Sequence, residues 1–251
     1  MKQALVLAAG LGTRLKPLTD TTPKALVTVG GFALLELNLR RLQAAGFERI
    51  AVNIHHFGQQ VIDFLREHDD FGMDIRISDE RDELLDTGGA IKKARTLLDT
   101  DSPVLIHNVD ILSDIDLNKL YAAAQTSVHT TLAISKRTSA SGRYLLFDSR
   151  QKLVGWTNER TGEVRGPYAD ALERTALKAP FAGIHVFHPS LFPLMDAWPS
   201  KFSIIDFYLN ISRAHEVCGL LEDFHLIDVG KLDSLSAAER FLQDHRSSYF
   251  F

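Results

Sequence analysis

The sequence is poor in the features that mark secreted, membrane-bound or nucleic-acid-binding proteins. Its 251 residues include a single cysteine, Cys218, which has no partner for an intramolecular disulfide. No segment approaches the ~18 consecutive apolar residues of a membrane helix. A formal net charge of -4 offers no basic surplus for binding nucleic acid or an anionic membrane. These absences predict a cytoplasmic protein that contacts neither nucleic acid nor membrane.

The first residues have a superficial likeness to a signal peptide. Lys2 precedes the apolar run ALVLAAG, as a basic residue precedes the apolar region of a secretory signal. The run is too short, however, and it continues into the cations Arg14 and Lys16. We therefore interpret this segment as a buried first strand.

Apolar periodicity over the first 110 residues predicts strands that alternate with helices. Short apolar runs predict the strands, and apolar residues at helical spacing predict the helices. The four predicted strands are Gln3 to Leu7, RIAVNIH, DIRISDE and PVLIHNVD. The three predicted helices are LLELNLRRLQAAG, which stops at Gly46, GQQVIDFLREH and GGAIKKARTLL. This order predicts a parallel sheet covered by helices.

Beyond Asp110 the pattern is mixed. Further strands are predicted at HTTLAISKR, RYLLFD, KLVGW, FAGIHVFHP, EVCGLLED and FHLIDVG, and further helices at DLNKLYAAAQ, FSIIDFYLNISRAHE and LDSLSAAERFLQD. Residues 157–179 are polar and weakly periodic. We interpret them as a long loop or a small excursion, and long loops in compact domains are often functional.

The stretch AAGLGTRLKPLT, which follows the first strand, has features that favour binding of an anion. Gly10 and Gly12 let the backbone approach a ligand closely, and successive N–H groups in such a turn form an anion nest. The dinucleotide fingerprint G-x-G-x-x-G fails at Leu15, and the Walker A pattern is also absent. A tight strand exit with no ligand is the alternative interpretation.

The same stretch carries its own cations. Arg14 offers a planar fork matched to phosphate oxygens, whereas Lys16 and Lys24 are point charges. Pro23 restrains the backbone immediately before Lys24. This combination favours a triphosphate ligand and leaves the role of Lys16 open.

The string LAAGLGTRLKPLTDTTPKALVTVGG closely resembles the signature of the sugar-1-phosphate nucleotidyltransferases, roughly L-A-A-G-x-G-x-R-[LM]-x-P-L-T and then P-K-x-L-x-x-[VI]. Four further segments have the order and spacing of the short members of that family. They are LLDTGGAI, LIHNVDIL, FAGIHVFHPSLF and FHLIDVGKLDSL. The resemblance covers nearly the whole chain except residues 158–179.

The resemblance implies an α/β fold, a Rossmann-like three-layer sandwich with a mostly parallel, mixed central sheet and no C-terminal β-helix. It implies a single domain over residues 1–251, in which residues 1–110 bind the nucleotide and residues 111–251 bind the sugar phosphate. Such enzymes use Mg²⁺ to join an NTP to a hexose or amino-sugar 1-phosphate, and they release pyrophosphate. The attacking phosphate oxygen is already an anion, so the reaction needs positioning and charge neutralisation rather than a general base.

The resemblance also assigns the residues that bind the NTP. Arg14 grips the outer phosphates and Lys24 neutralises charge near the reacting phosphorus, so these two are the predicted catalytic residues. The predicted nucleotide-binding residues are Ala8, Ala9, Gly10, Gly12, Thr13, Arg14, Asn53, Thr87 and Gly88. For His55, contact with the base and a structural role both stay open.

Two carboxylates are the predicted metal ligands. Asp110 and Asp228 each end an apolar strand, and the carboxyl ends of strands form the usual ligand edge of an open α/β sheet. Hard oxygen ligands of this kind hold Mg²⁺ between protein and phosphate. The family usually has glycine where Val109 stands, and valine disfavours positive φ. We therefore expect the backbone before Asp110 to differ from the family pattern.

The acceptor site is predicted from weaker matches. In longer hexose enzymes the lysine of an E-K-P motif holds the sugar phosphate, and the approximate counterpart here is residues 159–161. Arg160 and Arg143 are the two candidate cations for that phosphate. The predicted substrate-binding residues are Asp86, Asn108, Arg143, Arg160 and Gly183.

Three other functions compete with this interpretation. A dehydrogenase is disfavoured because the third glycine of the motif G-x-G-x-x-G is missing. A non-catalytic nucleotide-sugar sensor is disfavoured because the four charged site residues are all present, namely Arg14, Lys24, Asp110 and Asp228. An alcohol-phosphate cytidylyltransferase of the choline type stays open, because Tyr144, Trp156 and Tyr168 could form an aromatic box for a quaternary amine. No feature of the sequence specifies an oligomeric state.

Overall fold

The computed structural model describes residues 1–125, 130–135, 137–139, 141–168 and 174–250. Its strands are β1 (Lys2–Leu7), β2 (Thr28–Val29), β3 (Phe32–Ala33), β4 (Phe47–Ile54), β5 (Asp74–Asp79), β6 (Val104–Asn108), β7 (Ile111–Ser113), β8 (Thr130–Ile134), β9 (Arg143–Phe147), β10 (Leu153–Asn158), β11 (Glu163–Arg165), β12 (Leu177–Ala179), β13 (Phe181–Phe187), β14 (Val217–Leu221) and β15 (Leu226–Asp228). Its α-helices are α1 (Leu34–Ala44), α2 (Gly58–Glu67), α3 (Asp86–Ala94), α4 (Leu117–Gln125), α5 (Ile204–Ile211) and α6 (Leu235–Asp244).

Seven strands form the central sheet, in the order β14-β8-β13-β6-β1-β4-β5. The strands on both sides of β1 run parallel to it, and β14 runs parallel to β8. Only β13 in this sheet is antiparallel to its neighbours, β6 and β8. The predicted mostly parallel, mixed sheet is therefore confirmed, and strands from both halves of the chain contribute to it.

The sheet lies between two hydrophobic cores, which explains the unbroken apolar runs of its strands. In β1, Ala4 and Val6 belong to one core and Leu5 belongs to the other. Strands buried on both faces lose the apolar-polar alternation of a half-exposed sheet. Helices α1, α2, α4 and α6 pack on the first core, and α3 and α5 pack on the second. This arrangement is the predicted three-layer sandwich.

The predicted helix stop at Gly46 is confirmed. Gly46 has φ +77° and its N–H donates to Gln43 O at 2.9 Å, just beyond the end of α1. Glycine adopts this left-handed conformation without a Cβ penalty, so it ends helices well. Among the described residues, no helix is long and apolar enough to span a membrane.

The interpretation of residues 157–179 as a loop was wrong in part. A second sheet, with the order β11-β10-β9-β12, takes two strands from this segment. Trp156 pairs with Arg165, and Ala179 pairs with Leu145. These strands are only three residues long and partly exposed, so their stability depends on partners distant in sequence rather than on a local apolar pattern. Residues 169–173 lie outside the described residues.

The order of the parallel strands creates a crevice beside β1. The chain adds β4 and β5 on one side of β1 and then returns to add β6 on the other side. At such a reversal the loops that follow the two adjacent strands diverge, which leaves room for a ligand at the carboxyl ends of the strands. The loops after Leu7 and Asn108 form this edge.

Candidate active site

The glycine loop after β1 has one glycine that the fold requires and one that it does not. Gly12 has φ +64°, and a Cβ there would lie 2.8 Å from Thr19 Cγ2. Thr19 also donates its hydroxyl to Gly12 O, and the short helical turn Thr13–Leu15 follows with Arg14 exposed. A Cβ on Gly10 would meet only Lys24 Cδ, at an ordinary 3.7 Å. The exposed backbone at Gly10 is thus open to a ligand.

The side chain of Asn53 holds the start of this loop in place by hydrogen bonds to its backbone. Its Oδ1 accepts hydrogen bonds from the backbone N–H groups of Ala8 at 2.6 Å and Ala9 at 3.2 Å. Its Nδ2 donates to Glu80 Oε1 at 2.8 Å, and its side chain is buried. The predicted nucleotide contacts of these three residues therefore cannot use the two N–H groups, which are already paired. Asn53 is a positioning residue for the loop.

Glu80 anchors Asn53 and was not predicted from the sequence. It is 1% exposed, and its second carboxylate oxygen accepts the N–H of Leu85 at 3.1 Å. Burial raises the pKa of Glu80, and the hydrogen bonds from Asn53 and Leu85 oppose this shift. His55 Nδ1 lies 2.6 Å from Glu80 O. Of the two roles left open for His55, the structure thus shows the structural contact.

A short antiparallel ribbon brings the two predicted metal ligands together. Asp110 lies between β6 and β7, and Asp228 is the last residue of β15. Strands β7 and β15 pair with Asp228 opposite Ile111, and Val229 N–H donates to Asp110 O at 2.8 Å. Two carboxylates from opposite halves of the chain are thus joined by three residue pairs, at the ligand edge of the central sheet.

The charges around these carboxylates alternate in sign. Lys24 and Asp110 form a largely buried ion pair, with 12% and 15% of their side chains exposed. A Cβ on Gly230 would lie 2.7 Å from Asp228 Oδ1 and 2.9 Å from Arg14 Nη2. The carboxylate of Asp228 and the guanidinium of Arg14 therefore lie next to the same glycine. Partial desolvation and the charge of Asp110 raise the pKa of Asp228, whereas Lys24 and Arg14 lower it. The structure therefore brings both predicted catalytic cations to the carboxylate pair.

The backbone before Asp110 needs no glycine in this chain. Val109 is not among the described residues with positive φ, and it is 2% exposed. Its N–H donates to Leu7 O at 3.1 Å, and its carbonyl accepts from Asn38 Nδ2 at 2.9 Å. The valine therefore stands in the turn that follows β6, without a positive φ, and its N–H adds one hydrogen bond to β1 beyond the end of the strand.

Gly183 lies against Asn108, as the antiparallel pairing of β13 with β6 requires. It has φ +73°, and a Cβ there would lie 2.8 Å from Asn108 Nδ2. Ile184 pairs with His107, the neighbour of Asn108 in β6. Asn108 and Gly183, two of the five predicted substrate-binding residues, are thus in contact with each other.

The glycines at the start of α3 are required by packing within the chain. A Cβ on Gly88 would lie 2.4 Å from the ring of Phe202, and one on Gly89 would lie 2.1 Å from Ser200 O. Both N–H groups donate to Phe202 O, at 2.9 and 3.3 Å. Gly88 is buried, and its N–H is not available to a nucleotide. The predicted contact of Gly88 with a nucleoside stays a prediction.

A cavity of about 360 Å³ opens beside the glycine loop. Asp86 and Thr87 line it at the start of α3, where Asp86 Oδ1 accepts the N–H of Thr87 at 2.6 Å. Thr87 Oγ1 in turn accepts the N–H of Ile204 at 3.0 Å. The lining side chains and backbone come from Leu7, Ala9, Gly10, Lys24, Asn53, Glu80, Leu84, Asp86, Thr87, Ala90, Asn108, Val109, Asp110 and Lys201. Asp86 and Asn108, predicted on the sugar side, are therefore placed here.

A larger cavity, of about 930 Å³, opens on the other side of the carboxylate pair and is rich in arginine. Its cationic lining residues are Arg14, Arg137, Arg143, Arg160, Arg165 and Lys231. Its acidic lining residues are Glu163 and Asp228. The surplus of guanidinium groups suits a ligand with more than one anionic group.

Two of these arginines were missed from the sequence. Arg137 donates to Phe181 O at 3.1 Å; burial lowers its pKa, and the charge of Asp228 opposes this shift. Arg165 donates to Asp206 Oδ1 at 2.6 Å and lies 4.1 Å above the ring of Trp156. Both arginines lie in segments with no motif, so only the tertiary structure shows that they line this cavity. Lys231, also missed, lies inside the quoted segment FHLIDVGKLDSL.

The two candidate cations for the acceptor phosphate line the same cavity. Arg143 begins β9 and is exposed. Arg160 lies against Gly142, where a Cβ would be 2.8 Å from Arg160 Cγ. The neighbouring Glu159 pairs with Lys178 at 3.1 Å. The structure thus brings Arg143 and Arg160 together rather than choosing between them.

The same cavity disfavours a quaternary amine. One face of Trp156 is covered by Arg165, and the hydroxyl of Tyr144 accepts the N–H of Ser139 at 3.0 Å. A cationic ligand would be repelled by the guanidinium groups that surround it.

The fold and this crevice define a class of protein. A glycine loop, two cations and two adjacent carboxylates stand at the switch point of a Rossmann-like sheet, between a cavity of about 360 Å³ and a larger, arginine-rich cavity. These are the groups that a nucleotidyltransferase needs to bind and neutralise a triphosphate. Residues 3–145 match the family model for nucleotidyl transferases, and the chain belongs to that family.

Comparison with known proteins agrees over nearly the full length. The chain is 34% identical to an N-acetylmuramate alpha-1-phosphate uridylyltransferase of Caulobacter vibrioides, over 97% of this chain and 98% of the relative. It is 32% identical to the corresponding Neisseria meningitidis protein, over 94% and 96%. A UDP-glucose pyrophosphorylase structure from Acinetobacter baumanii has a TM-score of 0.78 at 15% identity, over 98% of this chain and 94% of that one. The protein is a sugar-1-phosphate nucleotidyltransferase.

Proposed function

We propose that the protein transfers the uridylyl group of UTP to N-acetylmuramate 1-phosphate, with Mg²⁺, and releases pyrophosphate. The arginine-rich cavity beside the carboxylate pair is the observation that carries this proposal. The names of the two full-length relatives support the same substrates. The first half of the chain binds the nucleotide and most of the acceptor site comes from the second half.

The donor lies across the glycine loop. Its nucleoside occupies the 360 Å³ cavity, and its phosphates lie over the open backbone at Gly10 and the turn that begins at Thr13. Arg14 and Lys24 neutralise the phosphates. Because Lys24 is already held by Asp110, it is positioned before the substrate arrives, which reduces the reorganisation needed during the reaction.

The metal-binding residues are Asp110 and Asp228. Their oxygens are the hard ligands that Mg²⁺ prefers. Partial burial and the negative charge of Asp110 raise the pKa of Asp228 although Lys24 and Arg14 oppose the shift, and a divalent cation between the two carboxylates would offset their repulsion. Asp110 and Asp228 would hold Mg²⁺, which would neutralise negative charge on the donor phosphates.

The acceptor approaches from the larger cavity. Its phosphate oxygen attacks the α-phosphorus in line, a new P–O bond forms, and the bond to pyrophosphate breaks on the opposite side. The attacking oxygen carries its own negative charge, so no side chain needs to remove a proton. Catalysis here consists of holding two anions in contact and screening their repulsion.

The number of arginines points to an acidic sugar. N-acetylmuramate 1-phosphate carries a phosphate and also a lactyl carboxylate, whereas N-acetylglucosamine 1-phosphate lacks the carboxylate. A single phosphate would be satisfied by one or two guanidinium forks. The remaining cations of the cavity are suited to the second anionic group.

The test is a substrate panel with pyrophosphate release as the readout. Four NTPs are combined with the 1-phosphates of N-acetylmuramate, N-acetylglucosamine, glucose and mannose. We expect the highest kcat/KM with UTP and N-acetylmuramate 1-phosphate, and at least about a tenfold preference over N-acetylglucosamine 1-phosphate, as one charge-assisted contact provides. Equal use of the two amino sugars would contradict the acidic acceptor.

Arginine variants extend this test. Arg143→Gln and Arg160→Gln should each raise KM for the sugar phosphate, and the variant that has lost the carboxylate contact should also lose the preference for N-acetylmuramate. Arg66→Gln is the matched control, because Arg66 lies on α2 with 76% of its side chain exposed. A preference that persists in both cavity variants would contradict this role.

A further inference from the structure

Three side chains converge at the end of the β7–β15 ribbon that is distant from the catalytic carboxylates. Asp114 follows β7, His225 precedes β15, and His245 follows α6. His225 Nδ1 lies 2.8 Å from Asp114 Oδ2, and His245 Nε2 lies 3.1 Å from the same oxygen. Ligand atoms from all three residues lie within 4.8 Å of one another. None of these residues takes part in the reaction described above.

The hydrogen bonding of His245 leaves a lone pair aimed at a carboxylate. Its Nδ1 lies 3.0 Å from the carbonyl oxygen of Phe241, which can only accept, so Nδ1 carries the proton. In the neutral ring Nε2 is then an acceptor, yet it faces Asp114 Oδ2. Two acceptors at this distance repel, so a cation must lie between them: either a second proton on Nε2, which makes an ion pair with Asp114, or a metal ion.

The ring of His245 is also held in place. It stacks on Phe241 with ring centroids 4.2 Å apart and planes 20° apart. A backbone carbonyl that receives the Nδ1 proton while Nε2 points to the site is the outer-shell arrangement that orients metal-binding histidines. The geometry of His245 is therefore prepared for a ligand at Nε2.

The carboxylate of Asp114 also interacts with these two histidines. The hydrogen bonds and ion pairs of the Asp114 side chain, among the described residues, all go to His225 and His245. The buried Arg41 interacts electrostatically with Asp114 but donates its hydrogen bonds to Ser113 Oγ and Ile115 O.

The spacing suits a small borderline cation. Ligand bonds of about 2.0–2.2 Å in tetrahedral geometry place ligand atoms about 3.3 Å apart. The observed 2.8 and 3.1 Å would need to widen by only a few tenths of an ångström, and the ligand atoms of the two histidines, which lie within 4.8 Å of each other, would be brought to this spacing by a turn of the exposed His225 ring. Two imidazoles and one carboxylate suit Zn²⁺ and disfavour Mg²⁺, which prefers oxygen ligands only.

We propose that Asp114, His225 and His245 form a Zn²⁺ site that fastens α6 to the β7–β15 ribbon. His225 is exposed and can turn its Nδ1 lone pair to the metal, with Nε2–H in water. Solvent completes the coordination. The site is separate from the magnesium site, which lies at the other end of the ribbon, three residues away along β15.

The test measures zinc binding and stability in the metal-free full-length chain. Zn²⁺ is titrated by calorimetry in the presence of excess Mg²⁺, which occupies the oxygen site. We expect one equivalent of Zn²⁺ to bind and the Tm to rise, because a ligand that binds only the folded state stabilises it. His225→Gln and His245→Gln should each weaken binding by about 10- to 100-fold or more and remove the Tm rise.

Two controls separate this site from others. His215→Gln removes an exposed histidine outside the cluster and should leave zinc binding unchanged. Asp228→Asn should also leave it unchanged, because that residue belongs to the catalytic site. The absence of stoichiometric Zn²⁺ binding, or binding that survives both cluster substitutions, would overturn the proposal whatever the outcome of the substrate panel.

Discussion

At the scale of single residues, the proposed catalytic crevice places charges of opposite sign next to one another. Lys24 is paired with Asp110, and Asp228 is faced by Arg14 and Arg137. The contact between Lys24 and Asp110 holds both side chains in place before substrate binds. Such preorganised charges contribute most to catalysis because they need little rearrangement in the transition state.

The first prediction concerns Lys24. Lys24→Met should lower kcat by about 100-fold or more, because a fixed positive charge is lost beside the reacting phosphorus and Asp110 is left unneutralised. Lys16→Met is the matched control: Lys16 is 61% exposed and pairs with the half-exposed Asp20 on the loop surface. Steady-state pyrophosphate release measures both variants.

A loss of less than about tenfold in Lys24→Met would contradict the role of Lys24. An equal loss in Lys16→Met would show that the loop needs its overall charge rather than the particular position of Lys24. Thermal unfolding of both variants checks that the fold is intact.

At the scale of elements, glycine stands at the positions of the site for two different physical reasons. Those at the start of α3 make room for the segment from Ser200 to Phe202, with which a Cβ would collide. A Cβ on Gly10, in the loop after β1, would have no neighbour closer than 3.7 Å. Sequence patterns alone cannot distinguish the two, because the reason lies in what approaches the glycine in space.

The second prediction separates the two classes of glycine. Gly89→Ala should lower the free energy of unfolding by about 1–3 kcal/mol, because the new methyl would lie 2.1 Å from Ser200 O and the helix must shift. Gly10→Ala should leave stability nearly unchanged but raise KM for the NTP, because the methyl blocks the backbone that the phosphates approach. Urea unfolding and steady-state kinetics test the pair.

The interpretation of the glycine loop fails if Gly10→Ala leaves KM for the NTP and kcat unaltered. It also fails if Gly10→Ala destabilises the fold as much as Gly89→Ala does. In that case the glycine would serve the fold and not the ligand.

At the scale of the whole molecule, the central sheet buries two histidines. His107 in β6 is 2% exposed and His185 in β13 is 1% exposed, and they lie on adjacent, antiparallel strands. Burial lowers the pKa of His107 to about 4, with the charge of Arg41 adding to the effect, and burial lowers the pKa of His185 to about 3. Both rings stay neutral inside the fold.

The third prediction is a loss of stability in mild acid. Below a pH of about 6.5 the unfolded chain binds protons on these histidines while the folded chain does not, so the free energy of unfolding falls as the pH falls. Each histidine contributes about 1.4 kcal/mol per pH unit in this range, down to the folded pKa of about 4 or about 3. His185→Leu should reduce this slope. Urea unfolding between about pH 7 and about pH 5 measures it.

A slope in His185→Leu equal to that of the unmodified chain would contradict the assignment to His185. His215→Gln, which alters an exposed histidine, is the control and should retain the full slope.

The donor side of the site could be predicted from sequence because it is local. The loop after β1 carries Gly10, Gly12 and Arg14 within five residues, and Lys24 follows on a short restrained segment. Asp110 and Asp228 could be predicted as strand-end carboxylates, although not which contacts would join them. Their meeting depends on the β7–β15 ribbon, which pairs strands from distant parts of the chain.

The proposed acceptor side could be predicted only in part from the sequence, because several of its residues meet only in the tertiary structure. Arg137 and Arg165 lie in segments without a motif. Arg165 belongs to the sheet β11-β10-β9-β12, whose outer strands are too short to have a periodic pattern. Asn53 and Glu80 were likewise not recognisable as a support for the loop, because their hydrogen bonds cross between separate strands.

The sequence by itself determined the order of most strands and helices, the glycine loop with its cations and the family. These are properties of neighbouring residues, whose apolar spacing and backbone preferences act over a few positions. Only the tertiary structure decided which distant charges share the crevice, why each glycine is there, and how Asp114, His225 and His245 meet. Those features depend on packing between elements far apart in the chain, where a side chain's role is set by what lies against it.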